Sequence, residues 1–154
     1  MTATGIDPRS PRFGAAITAV LLLIVIGLSL GLTDQAPALV VLVLITALFA
    51  WGAFAGIRRH PYGLLFRALI RPRLQPPAEL EDPAPPTFAQ GVGFVIALAG
   101  VVLHLLGVPY ALVVAAGLAF VASFLNSVFA FCLGCQIYLL LVRSGIIRRG
   151  ATAA

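Results

Sequence analysis

Cys132 and Cys135 are the only thiols in the chain, three residues apart in the run Phe131-Cys132-Leu133-Gly134-Cys135-Gln136. Such a pair can cycle between dithiol and disulfide, hold a soft metal within a larger ligand set, or pack as two small apolar side chains. In a regular helix, residues three apart share a face with Cβ atoms about 5–6 Å apart, whereas a disulfide wants about 3.8 Å. An oxidised pair therefore requires a helix start, a kink or strain, and Gly134 between the cysteines would permit the distortion. Gln136 and Tyr138 follow closely and would support the pair. Zinc takes four ligands, and only His60 and His104 could add imidazole, so no metal site is expected.

Other polar groups in apolar surroundings are few. His104 either relays protons or hydrogen-bonds a neighbouring helix. Ser123, Asn126 and Ser127 fit interhelical hydrogen bonding. On one continuous helix they would be turned from the cysteine face by roughly a third of a turn. Gly27-x-x-x-Gly31 and Gly52-x-x-x-Gly56 match the close-packing pattern of membrane helices and are expected to tighten the bundle. There is no Gly-rich phosphate loop, catalytic triad or pair of intramembrane carboxylates, so ATPase, hydrolase and carboxylate-driven pump chemistries lack support.

The elements that position these residues must be membrane helices. Of 154 residues, enough for one domain, 61% are hydrophobic and only 10% charged. A soluble chain of this length could not bury so much apolar surface, so lipid is its solvent. The expected fold class is an all-α integral membrane protein, a four-transmembrane-helix bundle with spans near 13–32, 36–57, 88–106 and 120–142. The first apolar run is too long for a cleavable signal peptide and no small-x-small site follows, so it reads as a span. Thr33, Asp34 and Gln35 form a tight turn, with Pro37 suited to the first turn of the next helix. Gly107-Val108-Pro109-Tyr110 breaks the third span from the fourth. The interval 111–142 exceeds one straight crossing, so the last helix is kinked near Gly134, tilted, or started late.

The central loop, 58–87, carries seven of the prolines between Pro61 and Pro86. Within it, residues 62–70 read as a short amphipathic interfacial helix: Leu64, Leu65, Phe66, Leu69 and Ile70 dip into the interface while Arg67 and Arg71 face phosphates. Residues 75–86, with Glu79, Glu81 and Asp82, read as an extended tether. All ten basic residues are arginines, and each flanks an apolar span rather than an independent basic fold, so nucleic acid is not an expected partner. Arg9, Arg12, the cluster Arg58, Arg59, Arg67, Arg71 and Arg73, and Arg143, Arg148 and Arg149 all fall on one side of a four-span arrangement. The positive-inside rule then places both termini and the loop in the cytoplasm, and the membrane is expected to be the bacterial inner one.

The segments Asp7-Pro8-Arg9 with Arg12-Phe13, His60-Pro61-Tyr62-Gly63, Arg71-Pro72, Pro77-x-Glu79-x-Glu81-Asp82-Pro83, Phe88-Ala89-Gln90 and Phe131-Cys132-Leu133-Gly134-Cys135-x-x-Tyr138 together resemble a bacterial membrane family catalogued as domain of unknown function 4395. Its members tend to accompany thioredoxin-like and thiosulfate sulfurtransferase (rhodanese-like) proteins in actinobacteria, which implies thiol or sulfur chemistry. A looser likeness is to vitamin K epoxide reductases, small four-helix membrane proteins whose Cys-x-x-Cys feeds electrons to a quinone. Cys132, Cys135 and Tyr138 look similar, but the second cysteine pair usual in that family is absent here.

The expected function is a membrane thiol-disulfide or sulfur-relay component. Cys132 and Cys135 would exchange with a thioredoxin-like or rhodanese-like partner and pass electrons to a quinone or across the bilayer. The arginines of the loop, with Glu79, Glu81 and Asp82, would dock that partner or lipid headgroups. Two rivals stand beside it: a non-enzymatic scaffold in which the cysteines only pack, and a small permease for a sulfur compound, which would need a homo-oligomer to build a pathway.

Overall fold

The computed structural model describes residues 5–148; Arg149, counted above among the flanking arginines, lies outside them. The described chain is all helical apart from one isolated backbone bridge, Ile6 to Glu81. Four helices are long and apolar enough to cross a membrane: α1 Arg9–Gly31, α2 Ala36–Phe54, α4 Ala84–Leu105 and α5 Ala111–Phe129. Between α2 and α4 lies the short α3, Pro61–Leu65, which runs on through a π turn, Phe66–Ile70, and a 3-10 turn, Arg71–Arg73. A sixth helix, α6 Leu133–Arg143, is too short to cross.

Short polar turns make the antiparallel pairs. After α1, Gln35 donates its side-chain amide to the carbonyls of Leu32 (2.9 Å) and Ser29 (3.2 Å), and the Asp34 carboxylate accepts from the Ala36 amide at 3.0 Å. Those bonds serve backbone groups that helix ends leave open. The break at 107–110 forms as expected, with Gly107 and Tyr110 at positive φ. The second span stops earlier than the predicted 57, because Gly56 (φ 84°) leaves the right-handed region and a 3-10 turn follows.

The core runs along the bundle axis. Leu22 and Val25 of α1, Leu42, Ile45 and Phe49 of α2, Ala97 and Val101 of α4, and Leu112, Ala116 and Ala119 of α5 form one cluster. Small residues bring the axes close. Gly100 meets Ala115, and a Cβ on Gly93 would stand 2.7 Å from the Phe49 ring. Gly52 belongs to this set, since a Cβ there would strike the Gln90 side chain at 2.6 Å. Gly27 and Gly31 do not: nothing lies within 4 Å of either added Cβ, so the first small-residue pair does not tighten the bundle as expected. Outward-facing Val20, Leu30, Val40, Leu44 and Val95 form the apolar mantle that lipid must cover.

Two expectations for the loop are revised. The tether is shorter than 75–86, because α4 starts at Ala84; Pro85 and Pro86 sit in its first turn, where a missing amide costs nothing. Phe66 turns away from the interface and is buried, 5.8 Å from the Phe13 ring. Gly63 is buried too, and Tyr62 lies over Gly14, where an added Cβ would be 3.2 Å from the ring. Thus α3 docks on α1, leaving Leu64, Leu65 and Leu69 exposed.

His60 pins this docking. Its Nδ1 accepts from the Tyr62 amide (3.2 Å) as the α3 cap, which leaves Nε2–H to donate to the Leu48 carbonyl at 3.1 Å. Burial pushes its pKa below the ordinary value. Protons therefore bind the unfolded chain first, and His60 lowers stability as pH falls below about 6.5. Melting followed at pH 7.5 and 5.5 should show a drop that shrinks in His60→Gln.

The largest revision concerns the fourth crossing. A span over 120–142 is replaced by α5, ending at Phe129, and a separate α6. Ala130 adopts a left-handed conformation (φ 55°, ψ 26°), and the Phe131 amide reaches back to the Leu125 carbonyl at 3.1 Å. The Ala130 amide reaches the same carbonyl, so the helix closes around a left-handed residue, a position that usually employs glycine. Alanine there costs about 1 kcal/mol. Ala130→Gly should therefore raise the thermal midpoint in detergent, and Ala130→Val should lower it.

Candidate functional site

Because α5 ends in a left-handed residue, the chain leaves the helical path at Phe131 and restarts a helix after the extended Cys132. Cys132 (φ −88°, ψ 102°) is the N-cap of α6, and its sulfur accepts from the Cys135 amide at 3.3 Å. Of the three ways to an oxidised pair, a helix start is the one found. The Cα atoms stand 5.2 Å apart, within the disulfide range of about 4.4–6.8 Å, and the two sulfurs are bonded. Both residues are half-buried. The pair is thus outside the last crossing helix, not inside it.

Gly134 fixes where this cap sits. A Cβ on it would lie 2.6 Å from Ala89 Cα, so α6 rests on the backbone of α4. Tyr138, buried, stacks on Phe88 with ring centroids 5.6 Å apart. Both contacts fall in the first two turns of α4. At the same end, Arg12 of α1 donates to the Ser127 carbonyl of α5 at 3.4 Å. The disulfide therefore stands at the arginine-bearing end of the bundle.

Beneath it opens a cleft of about 750 Å³ between α1, α4, α5 and α6. Its walls include Thr18, Gln90, Ser123, Asn126, Cys132, Cys135 and Gln136, with Ala89, Gly93, Leu118 and Ala119 as apolar surface. Leu118 and Asn126 are eight residues apart on α5, so the cleft descends roughly 12 Å from the disulfide. The expected divergence of Ser123 and Asn126 from the cysteines held only for one continuous helix. The break at Ala130 turns α6 back and brings both groups into one space with the disulfide.

The other predicted site residues separate. Glu81 and Asp82 line the cleft mouth with Pro8 and Arg12. Glu81 is held by its backbone, paired with Ile6 through two bonds of 2.9 Å, and Asp82 caps α4 by accepting from the Ala84 amide at 2.9 Å. Glu79 is exposed and away from the cleft. Arg58 and Arg59 lie instead on an outer groove between α2 and α4. Arg67 donates to the Arg58 carbonyl at 3.1 Å, while Arg71 and Arg73 stay exposed on the loop. Tyr138 supports the α6–α4 contact and does not face the cleft. No group of three or more His, Cys, Asp or Glu capable of holding a metal occurs among the described residues.

Sequence reasoning missed three contributors. Arg12 reaches the cleft mouth, and Gln90 lies inside it, its side chain laid across Gly52. The third is the clamp made by Asp7 and Arg9. The Arg9 guanidinium grips the buried Asp7 carboxylate at 2.9 and 2.8 Å and reaches the Gln75 carbonyl at 2.9 Å. That hydrogen bonding holds the Asp7 carboxyl below its usual pKa. The clamp, with the Ile6–Glu81 bridge, straps the tether over the cleft mouth. An intramembrane Gln and the Asp-Pro-Arg run are the signals that could have found them.

Fold and site together define a four-helix membrane bundle with a disulfide at the mouth of an intramembrane cleft. The profile of the family described as a domain of unknown function (DUF4395) matches residues 6–143, and the chain belongs to that family. No curated protein and no solved structure matches it.

Gly134 offers a direct check on the seating of the disulfide. Gly134→Ala sets a methyl against α4 backbone that cannot move aside, and overpacking of this kind costs about 1–3 kcal/mol. The variant should melt earlier and label more readily at reduced Cys132 with a polar maleimide. Unchanged melting and labelling would mean that α6 does not rest on Ala89.

Proposed function

We propose that the protein is a membrane thiol-disulfide component in which Cys132 and Cys135 carry an electron pair between a thioredoxin-like or rhodanese-like partner and a quinone. The observation that supports this reading most is the disulfide capping α6 over an intramembrane cleft. A disulfide that only braced the fold would need neither half-exposure nor a cavity beneath it.

Cys132 is the sulfur that takes negative charge during exchange. It stands at the positive end of the α6 dipole, with the Cys135 amide already directed at it. A partner thiolate attacks Cys135 to give a mixed disulfide and releases Cys132 as thiolate. The partner's second thiol then resolves the bond, leaving the partner oxidised and the membrane pair as dithiol. Return of the dithiol to disulfide delivers two electrons and two protons to a quinone, giving quinol. The small residues and the amides of Gln90 and Asn126 suit the cleft to a flat molecule carrying carbonyl oxygens.

The arginine-bearing end, with both termini, faces the bacterial cytoplasm by the positive-inside rule. Glu81, Asp82 and Arg12 at the mouth then meet the soluble partner. A permease reading draws on the same cleft, since Ser123, Asn126 and the cysteines share it, and such a pathway would require a homo-oligomer.

The test is trapping in cells. In Cys132→Ser the free Cys135 thiolate attacks an oxidised partner, and without Cys132 to displace it only the partner's own second thiol can break the mixed disulfide. That species should therefore live longer and be caught on acid quenching and non-reducing gels. Cys132→Ser/Cys135→Ser should trap nothing while the bundle remains assembled. A Cys132→Ser variant that traps no partner, or a parent pair that stays reduced under every oxidant, would sink the relay. A Cys-to-Ala double variant behaving in all respects like the parent would favour a scaffold, and labelled thiosulfate uptake into vesicles a permease.

A further inference from the structure

On the opposite flank of α4 from the cysteine cleft, the outer surface of α2 and α4 forms a groove of about 1120 Å³. Ala53, Phe54, Gly91, Phe94 and Val95 line its apolar length. It exists because small residues meet along the seam: a Cβ on Gly91 would stand 3.9 Å from Ala53 Cβ. Phe54 packs edge-on against Phe94 at 5.6 Å and is 80% exposed, and Val95 is 63% exposed. The groove runs along α4 from Ala84 to Ile96, roughly 18 Å, which is about one leaflet of a 30 Å hydrocarbon core. Within that layer its contents are acyl chain, since water does not fill an apolar furrow open to lipid.

The end of the groove is charged. Arg58 and Arg59 line it, exposed, and among the described residues neither is paired with an acid. Arg67 adds a third guanidinium through its bond to the Arg58 carbonyl. One anion shares the rim, Asp82, and its carboxylate is engaged by the Ala84 amide. Three cations to one carboxylate leave the rim positive. Trp51, 53% exposed, donates its indole N–H to the Arg59 carbonyl at 3.1 Å, the placement of an aromatic residue at a membrane-water boundary. Charge, aromatic anchor and apolar furrow thus follow one another as do the parts of a phospholipid.

We propose that the α2–α4 groove binds an anionic phospholipid from the surrounding leaflet, one acyl chain along Gly91 and Val95 and the phosphate against Arg58 and Arg59. Binding does not depend on the cysteines, so it stands or falls apart from the redox reading.

The test is native mass spectrometry of the detergent-solubilised full chain titrated with phosphatidylglycerol and phosphatidylcholine of identical acyl chains. Two arginines at the headgroup should give a phosphatidylglycerol preference of roughly 30-fold. Arg58→Gln/Arg59→Gln, at exposed positions, should remove the preference while keeping the helical circular dichroism and the phosphatidylcholine adducts. Val95→Trp, which fills the furrow, should reduce adducts of both lipids. Arg143→Gln, away from the groove, should leave the preference intact. Equal binding of the two lipids by the parent, a preference surviving the double variant, or an equal loss in Arg143→Gln would overturn the proposal.

Discussion

A backbone that leaves its helix inside hydrocarbon must find new partners for every amide and carbonyl it releases, and this constraint sets where the cysteines can stand. The chain between α5 and α6 satisfies it in two steps. Phe131 closes the end of α5 onto Leu125, and Cys132 opens α6 by capping Cys135 with sulfur. With both ends served, three non-helical residues can sit at the edge of the apolar layer. The disulfide is therefore part of how the break is stabilised, and the break is what exposes the disulfide. Neither would hold its place without Gly134, because any side chain there would push α6 off Ala89.

Close packing elsewhere follows the same economy of small residues. Gly52, Gly93 and Gly100 each admit a neighbouring side chain, which draws α2 and α5 against α4. Where α4 meets α2 a furrow is left on the outside; where it meets α5 and faces α1, below the cap of α6, a cleft is left on the inside. The N-terminal half of α4 is thus a partition with a lipid-facing groove on one flank and the sulfur cleft on the other. Asp82, two residues before α4, lines both.

Much of this could be read from the residues. The charge-free runs identified four apolar helices, and the turns at Asp34 and Gly107 were legible because polar and glycine residues interrupt them. The end of α5 was not, because Ala130 occupies a left-handed position without glycine, proline or asparagine to announce it. Gly134 reads in the sequence as the flexible point, yet it lies inside α6 and serves packing, not bending. That four-residue displacement carried the cysteines out of the crossing helix and reversed the relation between their face and that of Ser123 and Asn126. The Asp7–Arg9 clamp escaped notice for a related reason: arginines near a membrane read as orientation signals, which hides one that grips a buried acid.

The arginines divide accordingly, and the division bears on how a soluble partner could approach. Arg9 is spent on Asp7 and Gln75, and Arg12 reaches toward the end of α5. Arg58 and Arg59 stand on the far flank of α4, at the outer groove. What remains at the cleft mouth is mixed in sign, with Glu81 and Asp82 opposite Arg12. A rim of that kind attracts neither a strongly acidic nor a strongly basic surface over distance. The strap formed by Ile6, Asp7 and Glu81 is therefore more than a tie between the N-terminal segment and the loop. By holding the tether against the N-terminal segment, it keeps Glu81 and Asp82 at the cleft mouth beside Pro8 and Arg12.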